Sequence, residues 1–283
     1  MATIIDGKAI AAEVRGRLKE RAEQFAQKHS HKPGLAVILV GDDPASKIYV
    51  RNKEKACEKS GIAASTYRLS ADTAQSELIA LIEKLNSSAD VHGILVQLPL
   101  PAQIETQRVL EAISPLKDVD GFHPYNAGKL LQSSALLEPC TPKGCIRLIK
   151  TTGIELSGKN AVVIGRSNLV GKPLAVMLER ENCTVTLCHS KTKDLEYHLK
   201  NADIVVCAVG KARILDGSFL KPGCTVIDVG INRLSDGTVC GDVDFDSAAE
   251  KAAFITPVPG GVGPMTIAML LENTIIAAEA FNA

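Results

Sequence analysis

The chain has 283 residues, which is room for two domains of ordinary size. Hydrophobic residues make up 46% and charged residues 23%, enough to build real cores, while Lys+Arg and Asp+Glu both number 32, so the net charge is zero and a general nucleic-acid binder is disfavoured. No apolar run approaches the roughly 18 residues of a membrane span, and Met1-Ala-Thr-Ile-Ile-Asp-Gly lacks the cationic and apolar regions of a secretory signal.

Residues 7–28 carry Ile10, Val14, Leu18, Ala22 and Phe25 at helical spacing. Gly34 to Val40 is a continuous apolar run, as a buried parallel strand requires. A helix is predicted from about 44 to 60, stopped by Gly61, then a strand over 63–69, a helix over 73–86 and a buried strand over 93–97. In the second half, strands are predicted at 160–164, 184–188, 203–207 and 225–228, with a helix over 170–181. The apolar segment Ile267 to Phe281 reads as a final helix that returns to the first domain.

Strand–helix–strand repetition makes a parallel sheet with right-handed crossovers. The expected fold is therefore α/β with two domains. An N-terminal α/β catalytic domain spans 1–139 and is completed by the helix of 265–283. A Rossmann-like, doubly wound nucleotide-binding domain spans 140–264. The eight cysteines lie scattered through apolar segments without the tight spacing of a zinc site, so buried free thiols in a reducing, cytoplasmic compartment are expected, with no metal.

Several stretches carry chemistry. Gly165-Arg-Ser-Asn-Leu-Val-Gly171 joins a strand to a helix, where free amide groups at a positive helix end bind pyrophosphate. Ser167 stands where the usual fingerprint has its second glycine, and a purely structural turn remains an alternative reading. The next strand ends in Cys188-His-Ser-Lys-Thr192 and offers no acid to the ribose hydroxyl of NAD. Arg166, Ser190 and Lys191 would accept a 2′-phosphate, which points to NADP, although Lys191 taken alone could be a solvated surface charge.

Tyr49 and Lys53 are one helical turn apart and share a face. Lys53 alone would read as solvated surface; paired with an inward aromatic it becomes a candidate proton carrier. Gln97 closes a buried strand, at the end where open α/β sheets bind ligands, and needs either Lys53, a ligand or loop backbone as partner. Lys117-Asp-Val-Asp-Gly121 fits turn chemistry, but Asp120 could also accept two parallel bonds from adjacent N–H donors. Pro257-Val-Pro-Gly-Gly-Val-Gly-Pro-Met-Thr266 packs three prolines and three glycines into one loop, read as rigid and ligand-facing, with Pro264 near the first turn of the helix that follows.

These blocks occur in a fixed order: Tyr49-Val-Arg-Asn-Lys53, Val96-Gln-Leu-Pro-Leu-Pro101, Lys117 to Gly121, Pro139-Cys-Thr-Pro142, Gly165-Arg-Ser and Pro257 to Thr266. The ordered set closely resembles the bifunctional methylenetetrahydrofolate dehydrogenase/cyclohydrolases over nearly the whole chain. The resemblance implies oxidation of 5,10-methylenetetrahydrofolate by NADP⁺ and hydrolysis of the methenyl product to 10-formyltetrahydrofolate. It also implies a folate partner and a homodimer formed through the nucleotide domain, with no nucleic-acid or membrane partner. By the same resemblance Lys53, Tyr49, Gln97 and Asp120 are catalytic. Tyr49, Gln97, Leu98, Pro99, Asp120, Pro259, Gly260 and Gly261 bind folate, and Thr141, Gly165, Arg166, Ser167, Val170, Gly171, Ser190 and Ile231 bind NADP.

Overall fold

The computed structural model describes residues 1–282. In chain order the first elements are β1 (Thr3–Ile4), α1 (Gly7–His29), β2 (Gly34–Val40), α2 (Pro44–Lys59), β3 (Ala63–Leu69), α3 (Gln75–Ser87), β4 (Gly93–Val96), α4 (Thr106–Ala112), α5 (Pro124–Leu131) and α6 (Cys140–Thr151). They continue with β5 (Asn160–Ile164), α7 (Gly171–Arg180), β6 (Thr184–Cys188), α8 (Leu195–Lys200), β7 (Ile204–Cys207), β8 (Thr225–Asp228), β9 (Asn232–Arg233), β10 (Val239–Cys240), α9 (Phe245–Lys251), β11 (Phe254–Ile255) and α10 (Val262–Phe281).

The chain forms two compact units. One combines Met1–Ala12 with Thr141–Thr266, and the other combines Glu13–Cys140 with the segment from Ile267 onward. The second of these carries a three-stranded parallel sheet in the order β3-β2-β4. β2 lies in the middle and is buried at every position, which explains its unbroken apolar sequence. Ile38 and Ile94 of this sheet pack with Leu78, Ile82 and Val109. β3 is one edge, and its first three residues are exposed. α2 starts where it does because the Asp43 carboxylate accepts the Ser46 N–H at 2.7 Å and Pro44 opens the first turn.

The other unit is a six-stranded parallel sheet in the order β1-β11-β8-β7-β5-β6. From β5 the chain first adds β6 on one side and then β7 on the other. The strand order reverses between β5 and β7, where doubly wound sheets take their ligands. Val162, Val205, Val226 and Ile255 lie in its core.

The structure departs from the sequence reading at the chain's start. The sequence reading places Met1–Ala12 in the first domain; in the structure they pack with the unit Thr141–Thr266, because β1 pairs with β11 and the Lys8 amide donates to the Gly260 carbonyl at 2.9 Å. A two-residue strand has no periodicity to reveal this pairing. α10 starts at Val262, five residues before the expected Ile267, with Pro264 inside its first turn. All eight cysteines are buried free thiols. Among the described residues no helix is long and apolar enough to cross a membrane.

Candidate functional site

In the unit built on β2, the carboxyl end of β4 meets α2. The Lys53 ammonium donates to Gln97 Oε1 at 3.1 Å, and Gln97 Nε2 donates to the Leu98 carbonyl at 2.7 Å. Both partners expected for Gln97, the lysine and the loop backbone, are therefore present. The amide cannot flip without losing both bonds, so its oxygen is committed to Lys53. The following Leu98–Pro99 bond is cis. Tyr49 lies one turn before Lys53 on α2 but is 37% exposed, so it is an accessible ring rather than the inward-facing aromatic expected.

The segment Lys117–Gly121 runs along the free edge of β4, held by a parallel bridge between Asp118 and Ile94. Its two aspartates have opposite fates. Asp118 is buried and accepts from the amides of Phe122 and His123 at 3.1 and 2.8 Å and from Asn126 Nδ2 at 2.9 Å. It is the turn residue. Asp120 is free of that duty. Burial pushes its carboxyl up to about 6, against the pull of the Lys53 charge, with Asp118 adding repulsion and the Cys140 thiol donating to it. Lys53, Gln97 and Asp120 are thus brought together around one strand end. Lys117 is structural: its buried ammonium donates to the carbonyls of Leu85 and Ser88 at 3.2 and 2.7 Å, at the end of α3.

In the other unit, β5 and β6 end side by side, with Ile164 opposite Cys188 and the Gly165 amide donating to the Cys188 carbonyl at 2.9 Å. Arg166 and Ser190, the residues just past these ends, are both exposed there. Gly165 has φ +117°, and a Cβ on it would overlap the Ala208 carbonyl oxygen; a Cβ on Gly171 would overlap the Gly165 carbonyl oxygen. The turn is thus a tight backbone-on-backbone contact. One expectation needs correction: the amides of Val170 and Gly171 are not both free for phosphate, because Ser167 Oγ accepts them at 3.1 and 3.4 Å. Ser167 Oγ thus takes up the amides that lead into α7, whose N-cap is Val170, instead of merely standing in for a glycine.

Thr141 shares a hydroxyl hydrogen bond of 3.1 Å with Thr266. Ile231 is 51% exposed. Pro259, Gly260 and Gly261 belong to this same unit, with the Val258–Pro259 bond cis and Gly260 at φ +112°. The structure therefore groups Tyr49, Lys53, Gln97, Leu98, Pro99 and Asp120 in one unit and the remaining candidate residues in the other.

Sequence reasoning missed the brackets behind these groups. Asn273 is fully buried and donates to the carbonyls of Val119 and Glu138 at 2.9 and 2.7 Å, on either side of the Asp120 turn. A lone asparagine in an apolar helix was the available signal, because a buried amide must find partners. Asp228 and Asp242, also buried, were missed for want of any spacing that marks them.

Two family models account for most of the chain. The tetrahydrofolate dehydrogenase/cyclohydrolase catalytic domain matches residues 5–120, and the NAD(P)-binding domain of the same family matches residues 139–282. The bifunctional protein FolD of Magnetococcus marinus is 59% identical over 279 residues, 99% of this chain and 98% of that protein. The crystal structure of the bifunctional FolD dehydrogenase/cyclohydrolase from Campylobacter jejuni is 50% identical, with a TM-score of 0.96 and 99% of both chains covered. The dehydrogenase-cyclohydrolase of Trypanosoma brucei, solved with NADP cofactor and an inhibitor, is 38% identical with a TM-score of 0.95, covering 99% of this chain and 98% of that one. The chain belongs to the tetrahydrofolate dehydrogenase/cyclohydrolase family.

Proposed function

From that membership we propose that Lys53, held by Gln97 beside Asp120, is the proton-moving group of a bifunctional folate enzyme. The enzyme oxidises 5,10-methylenetetrahydrofolate to the 5,10-methenyl form with NADP⁺, then hydrolyses that cation to 10-formyltetrahydrofolate. The observation that carries the residue assignment is the 3.1 Å bond from Lys53 to Gln97 Oε1 next to a carboxyl whose pKa is raised to about 6.

NADP⁺, when bound, supplies the hydride acceptor. The residues past β5 and β6 fit it: Gly165 lets the turn close tightly against the Ala208 carbonyl, and the exposed Arg166 and Ser190 suit a 2′-phosphate. Hydride departure from the methylene carbon needs no protein base, only correct placement. Asp120 accepts the 2-amino group and adjacent ring N–H of the pterin. Tyr49 supplies an exposed ring to pack on it. In the second reaction water adds to the methenyl carbon, and the bond from that carbon to the N5 nitrogen breaks. Lys53 carries one proton of the attacking water to that nitrogen, the water's second proton leaves to solvent as the formyl group forms, and Gln97 keeps the Lys53 Nζ aimed. Leu98 and Pro99, just past Gln97, line the folate. Thr141, Ser167, Val170, Gly171 and Ile231 line the nucleotide.

The enzyme acts in the cytoplasm as a homodimer formed through the nucleotide-binding unit, with no nucleic-acid partner. The balanced charge supports the lack of a nucleic-acid partner and the eight buried thiols support the reducing compartment; the homodimer rests on the family resemblance. The test is absorbance at the methenyl-folate band with purified protein, methylenetetrahydrofolate and NADP⁺ or NAD⁺. Methenyl formation with NADP⁺ followed by accelerated decay is expected. Lys53→Met should slow the decay by about a hundredfold or more; an unchanged decay rate removes the proton-transfer assignment. Sedimentation tests the dimer.

A further inference from the structure

The loop after β7 faces the point where strand order reverses, yet its four residues Ala208–Lys211 offer little side-chain chemistry of their own. What holds it is a single carboxylate. Asp242 is fully buried; its Oδ2 accepts the Val209 and Gly210 amides at 2.6 and 2.8 Å, and its Oδ1 accepts the Lys211 amide and Asn232 Nδ2, both at 2.9 Å. Four donors saturate the carboxylate without a cation. Three consecutive amides turned toward one anion fix the path of the backbone that carries them.

That path matters because of its neighbour. The Ala208 amide donates to the Ile164 carbonyl at 2.8 Å, and the Ala208 carbonyl fills the space a Cβ would take on Gly165. The loop is therefore one wall of the glycine turn. Asp242 is itself held by a second buried aspartate. Asp228 Oδ1 accepts the Asp242 and Gly230 amides at 2.9 and 3.0 Å, and its Oδ2 accepts the Val243 amide at 2.9 Å. The packing leaves no slack: a Cβ on Gly241 would overlap the Asp228 carboxylate, and one on Gly230 would overlap that of Asp242.

We infer that Asp242 is a positioning residue for NADP⁺, acting through the amides of Val209, Gly210 and Lys211 to set the loop against Gly165. The inference rests on the nucleotide site proposed above. It gives Asp242 a role in cofactor affinity beyond the bracing that any buried hydrogen-bonded carboxylate provides.

The test compares NADP⁺ affinity by calorimetry for the wild type and Asp242→Asn, which keeps the shape but turns an N–H₂ group against amide donors. The dissociation constant should rise by about tenfold or more, with kcat at saturating NADP⁺ and the KM for methylenetetrahydrofolate changing less than about threefold. A folded Asp242→Asn protein with lowered melting temperature and wild-type NADP⁺ affinity overturns the inference and leaves Asp242 a brace. A wild type that binds no NADP⁺ overturns the nucleotide site as well. Where Asp242→Asn does not fold, hydrogen exchange on the cofactor-free wild type decides. Gly210 and Lys211 are exposed, so slow exchange of their amides shows that Asp242 already holds the loop in place, and fast exchange overturns the inference.

Discussion

Lys53 and Gln97 lie 44 residues apart and meet through one hydrogen bond of 3.1 Å, in which the lysine ammonium donates to the amide oxygen. The amide's own N–H₂ group is anchored to the Leu98 carbonyl, so the oxygen is presented in one orientation only. Gln97→Met keeps the volume and removes the acceptor. It should lower the hydrolytic kcat by about tenfold or more and leave NADP⁺ affinity unchanged. Single-turnover decay of the methenyl substrate, alongside calorimetry with NADP⁺, measures both; a wild-type decay rate would show that Lys53 needs no guide.

Asp120 should impose a pH dependence on substrate binding. Its carboxyl is raised to about 6, chiefly by burial. As the pH falls through that value the group takes up a proton and can no longer accept two N–H bonds. The KM for methylenetetrahydrofolate should therefore be flat above about pH 7 and climb below about pH 6. Asp120→Asn should show a high KM at every pH and no such climb. A KM in the wild type that stays level from pH 5 to pH 8 counts against a role for the ionised carboxylate.

Gly165→Ala places a methyl group into the Ala208 carbonyl at a backbone φ of +117°. Either the turn or the loop after β7 must then move. NADP⁺ affinity should fall by about tenfold or more, while a cyclohydrolase assay without cofactor keeps its rate. Equal losses in both measurements would point to general unfolding instead.

His92 predicts an acid limit to stability. It is 1% exposed, and its Nδ1 accepts the Gly34 amide at 2.9 Å, which assigns the ring proton to Nε2. Burial, and then the charges of His31 and Lys117, lower it from 6.5 to about 4, with Asp90 opposing and His29 adding. Because the folded value lies below the unfolded one, the unfolded chain takes up the proton first as pH falls. The stabilisation is complete above about pH 6.5 and is lost toward pH 4, amounting to about 1–3 kcal/mol. Urea unfolding at pH 7 and pH 5 should show this loss, and His92→Gln, which keeps an acceptor for Gly34, should flatten it.

Read from the sequence alone, this chain already declares an α/β fold, its main strands and the strand–helix turn at Gly165, and it offers Lys53, Gln97 and Asp120 as candidates. Those features are local: a buried parallel strand must be apolar throughout, as Gly34–Val40 is, and a backbone forced to φ +117° calls for the glycine found there. What tertiary structure decided is partnership across long separations. Nothing in Lys117–Gly121 says that Asp118 would be spent on the turn and Asp120 released from it; Asn126 and the amides of Phe122 and His123 settle that. Nor does spacing reveal that β1 near the chain's start would join a strand 251 residues away, or that Asp242 would gather the amides of a loop 31–33 residues earlier. Periodicity reports which face of an element is buried; which polar group meets which is fixed only when the sheet has closed around it.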